Sequence, residues 1–276
     1  MQLEALFKQP QALPAVPKIV HELIDSFNSE DISVDDIAKK IAADPVLSAR
    51  LLRLANSAYY HVSRTVGTVN DAMTMLGFVT VRTLVISSGL TGGYKSMPGL
   101  DLSQFWRYCL HTAAVAGWIA KKTGNNRDQA FTVGLMHGIG QLVMHAGMPE
   151  QMLQQDKSAG PLDPRRIDME KAAFGYTFAD VGAELARQWR FPQAFGDAIK
   201  HFPDPVNAPG TDATAAIIHL AAWRARAEAN QVTPDDMLGT IPKDVCAKLG
   251  LNGEATLKEM PPMAELCEGL EALLAG

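Results

Sequence analysis

The chain contains few cysteines, and this scarcity narrows the class of protein to which it can belong. Only Cys109, Cys246 and Cys267 occur in 276 residues, they lie far apart, and no CxxC pair is present. A disulfide-stabilised scaffold and a cysteine-based zinc site are therefore both excluded. The same scarcity indicates a reducing environment, and we expect a cytoplasmic protein.

A basic surface and long hydrophobic runs are missing as well. The formal net charge is −5, and basic and acidic residues balance over residues 1–95. A general nucleic-acid binder needs a basic face, so we expect no such role. The longest wholly apolar run, Ala113–Ala120, is too short to cross a bilayer, and the N-terminus lacks the pattern of a secretory signal. We therefore expect no membrane segment.

Apolar residues recur at every third or fourth position, and the alternation typical of strands is nearly absent. The sequence therefore predicts an all-α fold. Helical spacing extends over about 16–27, 34–43, 45–57, 70–90, 102–122, 126–145, 164–174, 177–190, 192–201 and 212–228. Ser33 is the predicted N-cap of the second helix, Asp44-Pro45 ends that helix and opens the third, and Gly77 is expected to divide the fourth.

The composition changes most clearly between Gly92 and Gly99, where glycines and a proline cluster. We place a boundary there, which gives an N-terminal helical lobe at 1–95 and a second helical lobe at 96–230. A tail at 231–276 contains four prolines and then a predicted amphipathic helix that ends at Leu274.

The seven histidines are the candidate metal ligands. His137 lies in His137-Gly138-Ile139-Gly140, near the end of an apolar predicted helix, and His111 on the preceding helix is expected to approach it. Among the others, His21 and His61 are expected to be solvated, His145 to lie at a helix end that favours a cation, and His219 to serve the core. Since no HExxH, Walker loop or nucleophile elbow occurs, spacing alone indicates a metal site only weakly.

Several segments, taken in order, resemble one known family. They are Leu13-Pro14-Ala15-Val16-Pro17, the stretch IAADPVLSARLLRLANSAYY from Ile41 to Tyr60, Phe105-Trp106, Gly134-Leu135-Met136-His137-Gly138-Ile139-Gly140 and Trp189-Arg190-Phe191-Pro192. Together they resemble the HDOD family, the HD-related output domains of bacterial signalling, over residues 12–225. The resemblance implies an HD-domain-like helical bundle with an N-terminal helical lobe.

The resemblance also implies a dismantled metal site. The family's catalytic relatives have metal ligands at the positions that correspond here to Tyr108, Gly138, Phe178, Phe202 and Ala222, whereas His137 and His201 are retained. Two imidazoles without a carboxylate are a poor site for a hard divalent cation. We therefore expect no cofactor; if a metal binds, His137 and His201 would hold it.

Two functions compete on this basis. The first is a non-catalytic regulatory domain that contacts signalling proteins, with Arg50 and Arg53 as a candidate contact face. The alternative is a metal-dependent phosphohydrolase or nucleotide-binding protein, with a divalent metal and a pocket built from His111, His137, His201 and His219, where Asp180 or Glu184 would supply substitute ligands. A third hypothesis, nucleic-acid binding by helices at 34–57, is opposed by the acidic balance. The sequence specifies no oligomeric state.

Overall fold

A computed structural model describes residues 2–9, 11–13, 18–25, 33–60, 62–94, 96–208 and 213–274. Over these ranges the chain forms α-helices joined by turns and two short 3-10 segments, and no strand occurs among them. The predicted all-α class is therefore confirmed. Val16, Phe27, His61 and the segment 14–17 lie outside the described residues.

Within the predicted N-terminal lobe, the described residues form five helices and a 3-10 turn. They are α1 (Leu3–Leu6), α2 (Lys18–Asp25), α3 (Val34–Ala43), α4 (Pro45–Ala55), the 3-10 turn Ala58–Tyr60 and α5 (Val69–Thr91). Ser33 caps α3 by accepting a hydrogen bond from the Asp36 amide, as its position predicts. Asp44 caps α4 in the same way, and Pro45 occupies the first helical turn.

Helix α5 bends at Gly77, where φ is +81° and ψ is +160°. The left-handed side of the φ axis is accessible to glycine without strain, so the predicted break is confirmed at the expected residue. By length and composition α5 could also cross a membrane. The length of wholly apolar runs does not reveal this, because polar residues interrupt the apolar sequence of α5. Its own packing is that of a core helix, because half of its most apolar window is buried and it contacts α2, α3, α4 and α7.

Within the predicted second lobe, the described residues form eight helices. They are α6 (Leu102–Lys122), α7 (Arg127–Met136), α8 (Ile139–Gly147), α9 (Pro149–Ser158), α10 (Arg166–Phe174), α11 (Phe178–Gln188), α12 (Gln193–His201) and α13 (Ala213–Ala229). The single helix predicted at 126–145 is wrong, because it is two helices, α7 and α8, with His137-Gly138 between them. Helix α9 was not predicted at all, since its largely polar sequence lacks a continuous apolar stripe.

Small residues let the helices of this lobe approach closely. A Cβ added at Gly134 of α7 would lie 2.8 Å from the Ala113 Cα of α6, and one at Gly140 of α8 would lie 2.0 Å from the Phe178 carbonyl oxygen of α11. The alanine stripe predicted to face inward on α6 is buried, although Leu102 at its start is only half-buried. These contacts fix the position of the α7–α8 junction.

The tail forms four short helices and a 3-10 turn in place of one final amphipathic helix. They are α14 (Pro234–Thr240), α15 (Lys243–Lys248), α16 (Gly253–Glu259), α17 (Met263–Leu266) and the turn Leu270–Leu273. Helix α15 packs on α13, α17 packs on α6, and the final turn contacts α4, α5 and α6. The tail therefore spans both lobes, and buried residues of all three segments belong to one hydrophobic core.

Candidate functional site: the cleft over His137

His137 lies at the junction between α7 and α8, and only 1% of its surface is exposed. Its Nδ1 is 2.6 Å from the Gly134 carbonyl oxygen. A carbonyl only accepts hydrogen bonds, so we assign the ring proton to Nδ1, which leaves a lone pair on Nε2. Burial lowers the pKa of His137 to about 4, although the hydrogen bond to Gly134 opposes this shift. The imidazole is therefore neutral at physiological pH.

Aromatic rings enclose this imidazole. The ring centroid of His137 lies 5.1 Å from that of Tyr108 and 5.2 Å from that of Phe202, both in edge-to-face geometry. Phe178 packs against Phe202 with centroids 6.1 Å apart. The structure thus brings together four of the positions that the sequence analysis assigned to one pocket, and the space beside His137 is filled largely by apolar side chains.

Gly138 packs closely against α6. A Cβ added there would lie 3.3 Å from the Phe105 ring and 3.4 Å from the Cys109 Sγ, both on α6 and both buried. A carboxylate at this position would begin in tight apolar packing. The glycine therefore removes a ligand and also lets α6 close against the junction.

The remaining candidate residues divide into two groups. His219 on α13 lines the same cleft, donates through Nδ1 to the Phe202 carbonyl oxygen at 2.8 Å, and has a pKa lowered by burial. Ala222, one turn further along α13, is fully buried. His111 does not line the cleft, and its charged neighbours are instead Glu228, Arg107, Arg224 and Glu271. His201 ends α12 half-buried and is likewise absent from the cleft lining.

Arg226 is the residue of this site that sequence reasoning missed. Its Nη1 donates to the Tyr108 hydroxyl oxygen at 3.2 Å, and its charge contributes to lowering the pKa of both His137 and His219. Burial raises the pKa of Tyr108 despite this neighbour, so the phenol stays protonated. The signal was present in the sequence, because His219, Ala222 and Arg226 follow helical spacing and share one face of α13.

The residues present do not fit a divalent metal. Within the described ranges there is no group of three histidines, cysteines or acidic residues that could hold one. The proposed substitute ligands have other roles: Asp180 caps α11 by accepting from the Thr177 amide at 2.9 Å, and Glu184 forms an ion pair with Arg187 at 2.6 Å. The fixed positive charge of Arg226 further disfavours a cation beside His137.

A second buried polar group lies beside the cleft. His145 on α8 is fully buried, and its Nε2 is 2.8 Å from an Asp156 carboxylate oxygen. Arg166, which is 1% exposed, donates to Asp156 at 2.6 Å and to Glu170 at 2.7 Å. Glu170 in turn accepts from the Phe178 amide at 2.6 Å, so this network holds the start of α11 and with it one wall of the cleft. The expectation of a helix-end cation at His145 is thus replaced by a buried ion-pair network.

The candidate contact face is also divided by the structure. Arg50 is half-buried, and its Nη1 donates to the Ser88 carbonyl oxygen of α5 at 3.2 Å. This bond joins α4 to the end of α5. Arg53 is exposed. Of the two arginines, therefore, only Arg53 is presented to solvent.

The stretch that carries the strongest family resemblance joins the two lobes. Asn56 donates to the Val66 carbonyl oxygen at 2.8 Å and accepts from the Val66 amide at 2.7 Å, which closes the loop after α4. The Arg127 guanidinium lies 4.0 Å from the centroid of the Tyr59 ring and donates to the Tyr59 carbonyl oxygen at 3.1 Å. The residues from Ile41 to Tyr60 thus have a structural role at the interface between lobes.

A buried histidine at the break between two consecutive helices, with a helical lobe packed beside it, defines an HD-like all-α domain. More specifically, the chain belongs to the HDOD family, because the HDOD domain model matches residues 13–205. The family resemblance is confirmed, although the match ends before residue 225.

Comparison with known proteins agrees with this assignment. The chain is similar to a candidate phosphohydrolase from Shewanella amazonensis SB2B, with a TM-score of 0.77 and 32% identity over 98% of this chain and 96% of that one. It also resembles a candidate signal transduction protein from Marinobacter aquaeolei VT8, with a TM-score of 0.68 and 22% identity over 100% of this chain and 60% of that one. An uncharacterized protein of Treponema pallidum (strain Nichols) is 24% identical over 201 residues, and this chain spans only 39% of its length.

Proposed function

We propose that this chain is a non-catalytic regulatory domain that acts through contacts with signalling proteins and whose HD metal site is degenerate. The observation that carries the proposal is the surroundings of His137, where the rings of Tyr108 and Phe202 enclose the imidazole and Arg226 supplies a positive charge. A hydrolase of this type needs a cation that lowers the pKa of a bound water and holds phosphate oxygens. The similarity to a signal transduction protein supports a regulatory role.

Metal content and hydrolysis together test the non-catalytic part. Protein purified without chelator should contain far less than one equivalent of manganese, iron or zinc by elemental analysis. It should also fail to hydrolyse bis(p-nitrophenyl) phosphate when manganese is added. A stoichiometric metal, or turnover that is lost on His137→Ala and unchanged in the exposed variant Arg53→Ala, would establish the alternative metal-dependent phosphohydrolase and overturn the proposal.

The outer face of α4 is our proposed contact surface. Val46 is 59% exposed, and Ala49 and Arg53 follow it at helical spacing and are also exposed. Because Arg50 is bonded to Ser88, the face consists of an apolar patch beside a single arginine. Such a face fits a protein partner better than nucleic acid, which needs several cations.

Photo-crosslinking in cells tests this surface. A benzoylphenylalanine at position 46 should give discrete adducts with a protein partner, and these should disappear in the Arg53→Glu background. The same residue at position 206, which is also exposed, provides the control. Equal adducts at both positions, or none at position 46, would exclude this face. Free, buried cysteines support the proposed cytoplasmic location, and we propose neither a membrane nor a cofactor.

A further inference from the structure

The rings of Tyr108 and Phe202, which contact His137, also line a small cleft with a volume of about 210 Å³. At about 30 Å³ per water molecule, this volume holds roughly seven waters. Its wall combines the rings of Tyr108, Phe178 and Phe202 with the polar side chains of Gln141, His219 and Arg226. The lining therefore combines apolar and polar groups, as that of ligand sites commonly does, but the cleft is smaller than a site for a drug-sized molecule.

Arg226 brings a positive charge to this cleft and forms no ion pair among the described residues. The carboxylates of Asp163 and Asp168 share the lining but lie beyond ion-pair distance of its guanidinium, which donates to the neutral Tyr108 hydroxyl. Arg166 and Arg224, by contrast, both pair with carboxylates. A guanidinium has five N–H donors in a planar arrangement that matches an oxyanion, and most of these remain available here.

Gln141, which also belongs to the lining, provides an unused acceptor. This side chain is only 2% exposed, and its Nε2 donates to the Pro161 carbonyl oxygen at 3.0 Å. That bond fixes the amide, so its Oε1 is the other polar atom of the group, and Oε1 is buried without a hydrogen-bond partner. Because buried acceptors are normally satisfied, Oε1 calls for an N–H or O–H donor from a molecule in the cleft.

We propose that this cleft binds a small organic oxyanion, a carboxylate or a phosphate monoester, that also carries a hydroxyl or amino donor. The oxyanion pairs with Arg226, and the donor reaches Gln141. The small volume of the cleft favours a ligand smaller than a whole nucleotide, and the carboxylates of Asp163 and Asp168 in its lining disfavour a polyanion. The inference rests on the proposed non-catalytic role, since it makes the former catalytic pocket a sensor of a small metabolite.

Calorimetric titration with four probes tests this inference. In buffer with EDTA, glycerol 3-phosphate and lactate represent the two oxyanion classes with a hydroxyl donor, inorganic phosphate lacks the carbon-borne hydroxyl, and glycerol lacks the charge. We expect saturable one-to-one binding of at least one of the first two, weaker binding of phosphate and none of glycerol. Comparison of glycerol 3-phosphate with lactate distinguishes a phosphate ligand from a carboxylate ligand.

Three variants assign the contacts. Arg226→Gln should weaken oxyanion binding by about tenfold or more, because it removes a charge-assisted hydrogen bond. Gln141→Met, which keeps the shape of the side chain, should weaken the binding of the hydroxyl-bearing ligand and leave the binding of inorganic phosphate unchanged. Arg187→Gln, at an exposed ion pair on α11, should change neither. Circular dichroism spectra that match the wild type establish that each variant is folded.

The outcomes separate this inference from the proposed function. No saturable binding of glycerol 3-phosphate, lactate or phosphate, or equal binding by folded Arg226→Gln, would overturn the ligand site and leave the non-catalytic role intact. Release of inorganic phosphate from glycerol 3-phosphate, followed by phosphorus NMR, would instead contradict the non-catalytic role.

Discussion

His137 and His145 stand at opposite ends of α8 and are both buried, yet their surroundings differ completely. His137 is enclosed by aromatic rings, donates to a backbone carbonyl and has a neutral ring. His145 contacts the carboxylate of Asp156, which is itself shared with Arg166. The rings packed against the first histidine line a cleft that is open to a ligand, whereas the second histidine lies in a buried ion-pair network.

This difference shows where the fold retains charged groups. A buried charge is tolerated only when partners satisfy it, and the network of His145, Asp156, Arg166 and Glu170 supplies those partners within a few helical turns. The cleft lining also contains the carboxylates of Asp163 and Asp168, but Asp163 pairs with Arg165 outside the network, and the rings of Tyr108, Phe178 and Phe202 form much of the wall. The buried ion-pair network next to the cleft has a structural role, because it holds the start of α11.

The difference between the His145 network and the cleft is tested most strongly by replacing the arginine of each region. Arg166→Leu leaves the buried carboxylate of Glu170 and the partly buried carboxylate of Asp156 without their cation, so we expect a loss of about 3–5 kcal/mol in the free energy of unfolding. Arg226→Leu, whose guanidinium pairs with no carboxylate among the described residues, should change it by less than about 1 kcal/mol. Urea denaturation at pH 7 measures both. Equal losses would mean that the two regions are energetically alike.

Acid titration of stability sharpens the contrast at His137. Its pKa is about 4 in the folded protein and about 6.5 in an unfolded chain. Between these values the unfolded chain binds a proton that the folded protein does not, so the stabilisation is complete above pH ~6.5 and is lost as the pH falls towards ~4. At about 1.4 kcal/mol per pH unit, the loss is about 3 kcal/mol.

Urea denaturation of the wild type and of His137→Leu between pH 7 and pH 4 measures this term. The variant should lose less stability over the range by about the same 3 kcal/mol. Burial also lowers the pKa values of His111 and His219, and these residues account for the pH dependence of the free energy of unfolding that remains in the variant. Parallel curves for the two proteins would show that His137 does not titrate as its burial requires.

The complementary change at the other end of α8 is His145→Leu. It removes a hydrogen bond to the Asp156 carboxylate and one to the Gln141 carbonyl oxygen, and we expect a loss of about 2 kcal/mol. A double-mutant cycle with Asp156→Asn isolates the pair, and the coupling energy should exceed about 0.5 kcal/mol. Purely additive losses would contradict a direct interaction. The half-buried His21, replaced by Leu, is the matched control outside the network.

Much of the fold and part of the site could be predicted from sequence, for reasons visible in particular residues. Helix starts at Ser33 and Asp44 and the break at Gly77 depend on local chemistry, so a single sequence reveals them. The meeting of Tyr108, His137, Phe178 and Phe202 followed from family resemblance. The split between α7 and α8 was missed because apolar residues run through it without a proline, and the break at His137-Gly138 is set by tertiary packing.

The network at His145 was missed for a different reason. Its members lie on three helices, one of which, α9, has no apolar stripe to reveal it. Arg166 and Glu170 have the spacing of an ordinary surface ion pair, and their burial depends on the packing of α8, α9 and α11. Sequence spacing shows which residues can form an ion pair, but it does not show which ion pairs are buried. For the same reason the sequence analysis did not place Arg226 in the cleft.

The smallest expected effect concerns Gly138, where packing rather than charge closes the site. A Cβ there lies 3.3 Å from the Phe105 ring, which packs against Trp106 with centroids 5.2 Å apart and has little freedom to move. Gly138→Ala should therefore destabilise the protein by about 1 kcal/mol, because strain exceeds the gain from a less flexible unfolded chain. At Gly239 an added Cβ would have no neighbour within 4 Å. Gly239→Ala therefore causes no strain, and the less flexible unfolded chain should stabilise α14 by about 0.5 kcal/mol. Thermal denaturation of both variants measures the difference, and a stabilised Gly138→Ala would show that α6 leaves room for the missing side chain.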